Sequence, residues 1–429
     1  MTSNPGRLLV VALAILTAAA LAGGRGLAEP QRIQAFTGAR LFDAAGRTIE
    51  NATLVVRDGR ILAVEAGLAT PAGAERVDLD GRFVMPGLVN AHGHVGATRG
   101  LRSEPELYSR QNVLDQLGLY ARYGVTTVVS LGDDRDEGFR VRDEQETLSL
   151  ARARLYVAGP VVDATTPEAA RAQVGAIAAL KPDWIKIRVD DTLGTTPKMA
   201  PAVYRAVIDE AHKRRLRVAA HLFYLEDARE LVAAGVDLVA HSIRDQPVDA
   251  ALVSALAARG TCLVPTLTRE LSAFAYAEEP AFFADPFFLK EADTAVVAEL
   301  RSPERRERMR ANPASARYRE ALRTASLNLK ALVAGGAPIA FGTDTGPPAR
   351  FQGYFEHEEL RLMVEAGLTP TQALVAATSG AARCMGLPSV GRLEPGAWAD
   401  FLVLRADPLA DIRNTKSLES VWIAGNRVP

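Results

Sequence analysis

Eight apolar runs of strand length recur between residues 83 and 344, and no other feature constrains the fold as much. They are "FVMPGLVNAH", "GVTTVVSLGD", "RLYVAGPVVD", "DWIKIRVDD", "RVAAHLF", "GVDLVAHSI", "TCLVPTL" and "APIAFGTD". Helical patterns such as "APAVYRAVIDEAHKRR" and "LEDARELVAAG" lie between them. Apolar strands alternating with helices imply βα units around a parallel sheet. Eight such units predict an α/β fold, a (β/α)8 TIM barrel, which needs about 250 residues. Functional side chains in that fold stand at the carboxyl ends of the strands, so every polar residue there is a site candidate.

The chain ends read differently. "IQAFTGARLFDAAGRTIENATLVVRDGRILAVEAG" alternates apolar and polar positions around "DAAGR" and "RDGR" turns, as antiparallel hairpins do. "ADFLVLRAD" and "SLESVWIAGNRV" repeat that pattern near the C-terminus. Residues 29–82 and 388–429 are therefore expected to join in one small β-sandwich beside a barrel spanning 83–387. Residues 1–28 carry Arg7, then an apolar run from Leu8 to Ala22, then small residues ending in Ala28. That layout predicts a cleaved signal peptide and a periplasmic or secreted protein without a stable membrane anchor; a retained anchor helix is the alternative. The 429-residue chain has a balanced charge of −1, which offers nothing to nucleic acid. Its two cysteines, Cys262 and Cys384, lie in apolar surroundings and read as buried thiols rather than a bridge or a nucleophile.

Four of the six histidines fall at strand ends. His92 and His94 close the first run. Being two residues apart on a strand, they face the same side. His221 ends the fifth run, His241 the sixth, and Asp344 the eighth. Imidazole and carboxylate together suit a metal ion. Lys186 sits inside the fourth run, where burial favours the neutral amine. Such an amine can act as a nucleophile, form an imine, or add carbon dioxide to become an anionic carbamate able to bridge two cations. Pairing with Asp190 or Asp191 is the structural alternative.

As an ordered set, several stretches resemble the amidohydrolase superfamily, in particular its secreted imidazolonepropionase-like branch, which includes metallodipeptidases. They are "VMPGLVNAHGHVG", "YGVTTVVSLGD", "DWIKIRVDD", "EAHKRRLRVAAHLFYLEDARELVAAGVDLVAHSI", "IAFGTDTG", "EHEELRLMVEAGLTPTQALVAATSGAARCMGL" and "GRLEPGAWADFLVL". The resemblance implies that His92, His94 and Asp344 hold one metal, His221 and His241 hold a second, and carboxylated Lys186 bridges them. It implies a bridging hydroxide as nucleophile and Asp344 as general acid and base. Zn2+, two per chain or one, is the ion expected for such ligands.

Further residues carry weaker expectations. Arg188 and Arg244 either bind a substrate carboxylate or pair with Asp190 and Asp245. His357 is expected as a contact at the barrel mouth, and His212 as a structural residue near a helix end. The segment 269–325, with "AFAYAEEPAFFADPFFLKEAD" and "RSPERRERMR", is long for a crossover. It reads either as an aromatic lid or as a helical excursion for packing or a homo-oligomer contact. The function expected is hydrolysis of an amide or peptide C–N bond in a small molecule. A mononuclear cyclic-amide hydrolase or deaminase, a hydrolase of phosphotriesters or lactones, and a non-catalytic periplasmic binding protein are the alternatives.

Overall fold

The computed structural model describes residues 32–429, so the signal-peptide expectation lies outside the described residues. The two chain ends pair as expected, but in one mixed sheet of eight strands rather than two separate ones. From the N-terminal side come Ile33–Phe42, Thr48–Arg57, Arg60–Ala66, Glu75–Asp78 and Phe83–Pro86. Phe401–Leu404, Leu418–Ile423 and Asn426–Arg427 come from the other end. The seam is the antiparallel pairing of Phe83–Pro86 with Phe401–Leu404, with Val84 opposite Val403. The "RDGR" turn has Asp58 at φ 49° and Gly59 at φ 73°, two left-handed residues in a row, which is the geometry a tight hairpin requires. The sheet encloses its own core, in which Phe36 meets Phe401 edge-on at 4.9 Å and Trp422 stacks on Phe401 at 5.8 Å.

Between the chain ends the expected strands run parallel. Leu88–Gly93, Val125–Ser130 and Arg154–Val157 form one sheet. Ile185–Arg188, Val218–His221, Leu238–Ala240 and Cys262–Val264 form a second. An isolated parallel bridge, Val162 to Ile187, links the two sheets. The eighth run makes no regular strand; the bridges Leu263 to Ile339 and Gly93 to Thr345 hold it between the seventh and the first. No unbroken ladder therefore encircles the described residues. The intervening helices begin and end on the residues their chemistry favours. Thr166 caps Pro167–Ala179 by accepting from the Ala169 amide, Asp249 caps Ala250–Arg259 through Leu252, and left-handed Gly235 and Gly260 close two C-termini.

Two expectations need correction or choice. Cys262 and Cys384 are not free thiols: they form a disulfide with Cα atoms 5.9 Å apart, across 122 residues of sequence. Each sits in an apolar stretch, and only the tertiary fold brings the start of the seventh strand beside the helix Ala381–Met385. The 269–325 segment resolves in favour of packing. Tyr276, Phe282, Phe283 and Phe288 are buried with Tyr123, Tyr354 and Phe355 in a third apolar cluster. Aromatic rings of that size gain more from such burial than from exposure over a solvent-filled mouth. The charged run forms Pro303–Ala311, which buries no residue and pairs Arg306 with Glu279 and Arg310 with Glu278. Among the described residues no helix is long and apolar enough to cross a membrane.

One fully buried ion pair joins the terminal sheet to the parallel strands. Arg154 Nε lies 2.7 Å from Asp400 Oδ2, and Asp400 Oδ1 accepts from the Ala424 amide at 2.7 Å. The Trp398 ring stacks beneath the Arg154 guanidinium at 4.0 Å. Removing one partner of a buried pair strands the other charge. Asp400→Ala is therefore expected to lower the unfolding free energy by about 3–5 kcal/mol in urea titrations. Asp209→Ala, which breaks only an exposed pair with Lys213, should leave the midpoint unmoved.

Candidate metal centre

His92 and His94 stand at the end of the strand Leu88–Gly93, and Asp344 meets them from the eighth run. Asp344 Oδ1 lies 3.0 Å from His94 Nε2 and 3.6 Å from His92 Nε2. The approach is possible because of the glycines in "FGTDTG". A Cβ on Gly342 would lie 2.8 Å from the His92 nitrogen, and one on Gly346 would lie 2.4 Å from the His94 carbonyl oxygen. Asp344 itself adopts φ 58°, a left-handed conformation that is uncommon outside glycine.

The other candidates gather around this trio. Lys186 is buried, with Nζ 3.4 Å from His92 Nε2. The His241 ring centroid is 4.6 Å from that of His92 and 4.3 Å from that of His221. All six side chains line one cavity of about 280 Å³. Lys186 contacts His92 rather than Asp190 or Asp191, which removes the structural alternative considered for it.

Burial disfavours the charged form of four of these groups. Burial lowers Lys186 to about 7 and His221 to about 3, and it drives His92 and His241 well below the usual imidazole value. Burial alone would raise Asp344, but Arg350, then His94 and His92, outweigh it and hold the carboxylate well below its usual range. The cavity thus presents His92, His221 and His241 as neutral imidazoles, an amine that more readily loses its proton, and the ionised Asp344.

Hydrogen bonds fix which imidazole nitrogen is free. His94 Nδ1 lies 3.2 Å from the Gly132 carbonyl oxygen, to which it donates, and Nε2 is the nitrogen that faces Asp344. His241 Nδ1 bonds Thr266 Oγ1 at 2.7 Å, which turns its Nε2 the other way. His221 Nε2 bonds Asp190 Oδ2 at 2.9 Å, leaving Nδ1 as the donor atom. Buried His92 Nδ1 has no hydrogen-bond partner among the described residues. Converging nitrogen lone pairs beside one carboxylate fit a metal ion, and the compact ligand group is His92, His94 and Asp344, with donor atoms within 4.8 Å of one another.

Two expected contacts are not at the cavity. Arg244 is buried behind it, with Nε 2.9 Å from Glu270 Oε1, and it donates to the Leu222 and Ser242 carbonyls. It therefore pairs with Glu270 rather than Asp245 and does not line the cavity. His357 is buried on the helix Tyr354–Glu365, bonded to the Tyr123 carbonyl at 2.8 Å and Thr415 Oγ1 at 2.9 Å. Nearness to Asp344 in sequence misled there, because the helix turns this side chain toward the C-terminal segment. His212 pairs with Asp237 at the surface. Arg188 does line the cavity.

Sequence reading missed Arg350, Arg269 and Asp133 as cavity residues. Arg350 Nη1 lies 2.5 Å from Asp344 Oδ2. Its place in "GTDTGPPAR", six residues past the aspartate, was the available signal.

The amidohydrolase family model matches residues 83–428, most of the chain. The chain belongs to the amidohydrolase family. An imidazolonepropionase from Chromobacterium violaceum is 27% identical over 412 residues, covering 83% of this chain and 85% of its own length. A structure from Bifidobacterium longum, provisionally assigned as a prolidase, is 28% identical with TM-score 0.74, covering 92% of this chain and 94% of its own. A Xaa-Pro dipeptidase with methionine in its active site is 21% identical with TM-score 0.75, covering 92% and 99%. These likenesses establish a TIM-barrel-like α/β fold. This amidohydrolase is a metal-dependent hydrolase of C–N bonds, acting on a small molecule.

Asp190 should matter through His221 alone. Asp190→Asn can no longer hold the Nε2 proton by charge, and added divalent metal is expected to bind about 10- to 100-fold more weakly in chelator competition. Unchanged affinity would exclude His221 as a ligand.

Proposed function

We propose that this amidohydrolase cuts an amide or peptide bond in a small substrate with a free carboxylate, and that a dipeptide is the best candidate. The observation that carries this reading is the convergence of six side chains, from five different runs, on one cavity. His92, His94 and Asp344 would hold one zinc ion, His221 and His241 a second, and Lys186 as a carbamate would join them. Imidazole-rich ligation favours zinc. A metal bound there would lower the pKa of a water and polarise the substrate carbonyl. Asp344 takes the proton of the attacking water and delivers it to the leaving nitrogen. Its low pKa keeps it ionised. The lowered pKa of Lys186 supports the carbamate, since only a neutral amine adds carbon dioxide.

Arg188 and Asp133 support the substrate class. Both line the cavity, and neither has an ion-pair partner among the described residues. One cationic and one anionic side chain beside the same lysine match the two charged ends of a dipeptide. The proposed prolidase-like activity has the Bifidobacterium relative on its side.

A second reading has its own observation. His92, His94 and Asp344 are the compact ligand group, which suits one ion, and imidazolonepropionases are relatives over most of the chain. In that reading Lys186 stays an amine and the substrate is a cyclic amide.

The finer architecture belongs to the same proposal. The three isolated bridges would close residues 83–387 into a (β/α)8 barrel, with residues 29–82 and 388–429 as the flanking β-sandwich. The leader-like residues 1–28 and the Cys262–Cys384 disulfide support a periplasmic or secreted site of action.

Elemental mass spectrometry on protein purified without chelator separates the readings. Two ions per chain and turnover of dipeptides are expected; one ion with turnover of cyclic amides alone would replace the first reading by the second. Arg188→Met should raise KM for carboxylate-bearing substrates by about 10- to 100-fold, the loss of one charge-assisted hydrogen bond, while amidated analogues are unaffected.

A further inference from the structure

The helix Tyr354–Glu365 carries two fully buried carboxylates one turn apart, Glu356 and Glu359, which the chemistry above does not use. Side chains three apart on a helix share a face. Here that face lies behind the cavity, and each carboxylate meets a different corner of it.

Glu356 Oε1 accepts three hydrogen bonds: from Asn90 Nδ2 at 2.7 Å, Thr343 Oγ1 at 2.8 Å and Thr345 Oγ1 at 2.7 Å. The two threonines flank Asp344, whose φ is 58°. Asn90 in turn accepts from the His92 amide at 2.9 Å. One oxygen thus ties together the backbone on both sides of Asp344 and the strand that bears His92. Its other oxygen, Oε2, is buried without a hydrogen-bond partner among the described residues.

Glu359 uses both of its oxygens. Oε1 accepts from the Leu267 amide at 2.8 Å, and Oε2 from the Thr268 amide at 2.7 Å and Thr268 Oγ1 at 2.8 Å. These bonds satisfy the first amides of the helix Leu267–Ser272 and hold the corner at Thr266. Thr266 sits at φ 49°, a conformation that strains a β-branched residue, and its hydroxyl bonds His241 Nδ1.

We infer that Glu356 and Glu359 are positioning residues, each pinning one strained corner of the metal centre: Glu356 the corner of Asp344 and His92, and Glu359 the corner that orients His241. The two act on different ligand groups from a single helix. This inference rests on the metal-binding reading above. It adds a distinction in acceptor chemistry. Glutamine keeps one carbonyl oxygen and replaces the other with a donor. At position 356 the partnerless oxygen can become that donor without losing a bond. At position 359 either choice turns an acceptor away from the 267–268 amides.

The experiment compares Glu356→Gln, Glu356→Ala, Glu359→Gln and Glu359→Ala with wild type. Zinc affinity is read by chelator competition, and site occupancy by the absorption spectrum of the cobalt-substituted protein. Thermal unfolding of the metal-free proteins checks the fold. Glu356→Ala should weaken zinc binding by about 10- to 100-fold, as loss of an outer partner does, and Glu356→Gln should restore near-wild-type affinity. Glu359→Gln and Glu359→Ala should both weaken it, with the cobalt spectrum changed differently from that of Glu356→Ala. Equal rescue by glutamine at both positions would overturn the inference, as would unchanged affinity in folded alanine variants. If Glu356→Ala does not fold, Thr345→Val removes one of its three bonds and should show a smaller loss of the same kind. Failure of wild type to bind zinc or cobalt would sink the metal reading itself, and this inference with it.

Discussion

Four imidazoles and an amine line one cavity, and burial disfavours the protonated forms of His92, His221, His241 and Lys186. Two ionised neighbours at the separations seen between His92, His241 and His221 would repel strongly in a low-dielectric interior. The barrel-like arrangement of parallel runs enforces the burial, and burial keeps the rings of His92, His221 and His241 neutral. Neutral rings offer lone pairs instead of positive charge. Asp344 is the single carboxylate in direct contact with two of them, and its other oxygen is held by Arg350. The centre is therefore built to receive positive charge from outside.

That arrangement depends on backbone positions that resist their own preferences. Asp344, Thr266 and His241 all have positive φ, at 58°, 49° and 132°. Strain of this kind persists only where the surroundings over-determine it. The buried hydrogen bonds of Glu356 and Glu359 do so for the first two. The glycines of "FGTDTG" remove the steric conflict that would push the eighth run away from the first. Strained corners, glycines and buried carboxylates answer one requirement, that side chains from separate strands meet at hydrogen-bonding distance.

Much of this was legible in the sequence, and the reasons are physical. Parallel strands are buried on both faces, so their apolar runs stand out; seven of the eight expected runs form regular strands. Strand-end placement singled out His92, His94, His221, His241 and Asp344, because a strand's carboxyl end is defined by its own run. What failed depended on contacts between distant segments. Cys262 and Cys384 look alike as buried thiols or as a disulfide until the fold brings them together. Arg244 and His357 are near ligands in sequence, but a loop and a helix turn them away. The terminal strands were recognised, yet their arrangement in a single sheet is a matter of pairing that alternation alone does not specify.

The 269–325 segment reaches the cavity from outside the strands. Its aromatics are consumed in a core against Tyr123 and Tyr354, so they anchor the segment rather than cover the mouth. What the segment contributes to the cavity is polar: Arg269, at its start, lines the wall with Nη1 2.8 Å from Glu270 Oε1. Glu270 also holds Arg244, so one buried carboxylate restrains two guanidinium groups behind the ligands. Arg269 is thereby spoken for, whereas Arg188 is not. Of the arginines that line the cavity, Arg188 on the fourth strand is the one without an ion-pair partner among the described residues.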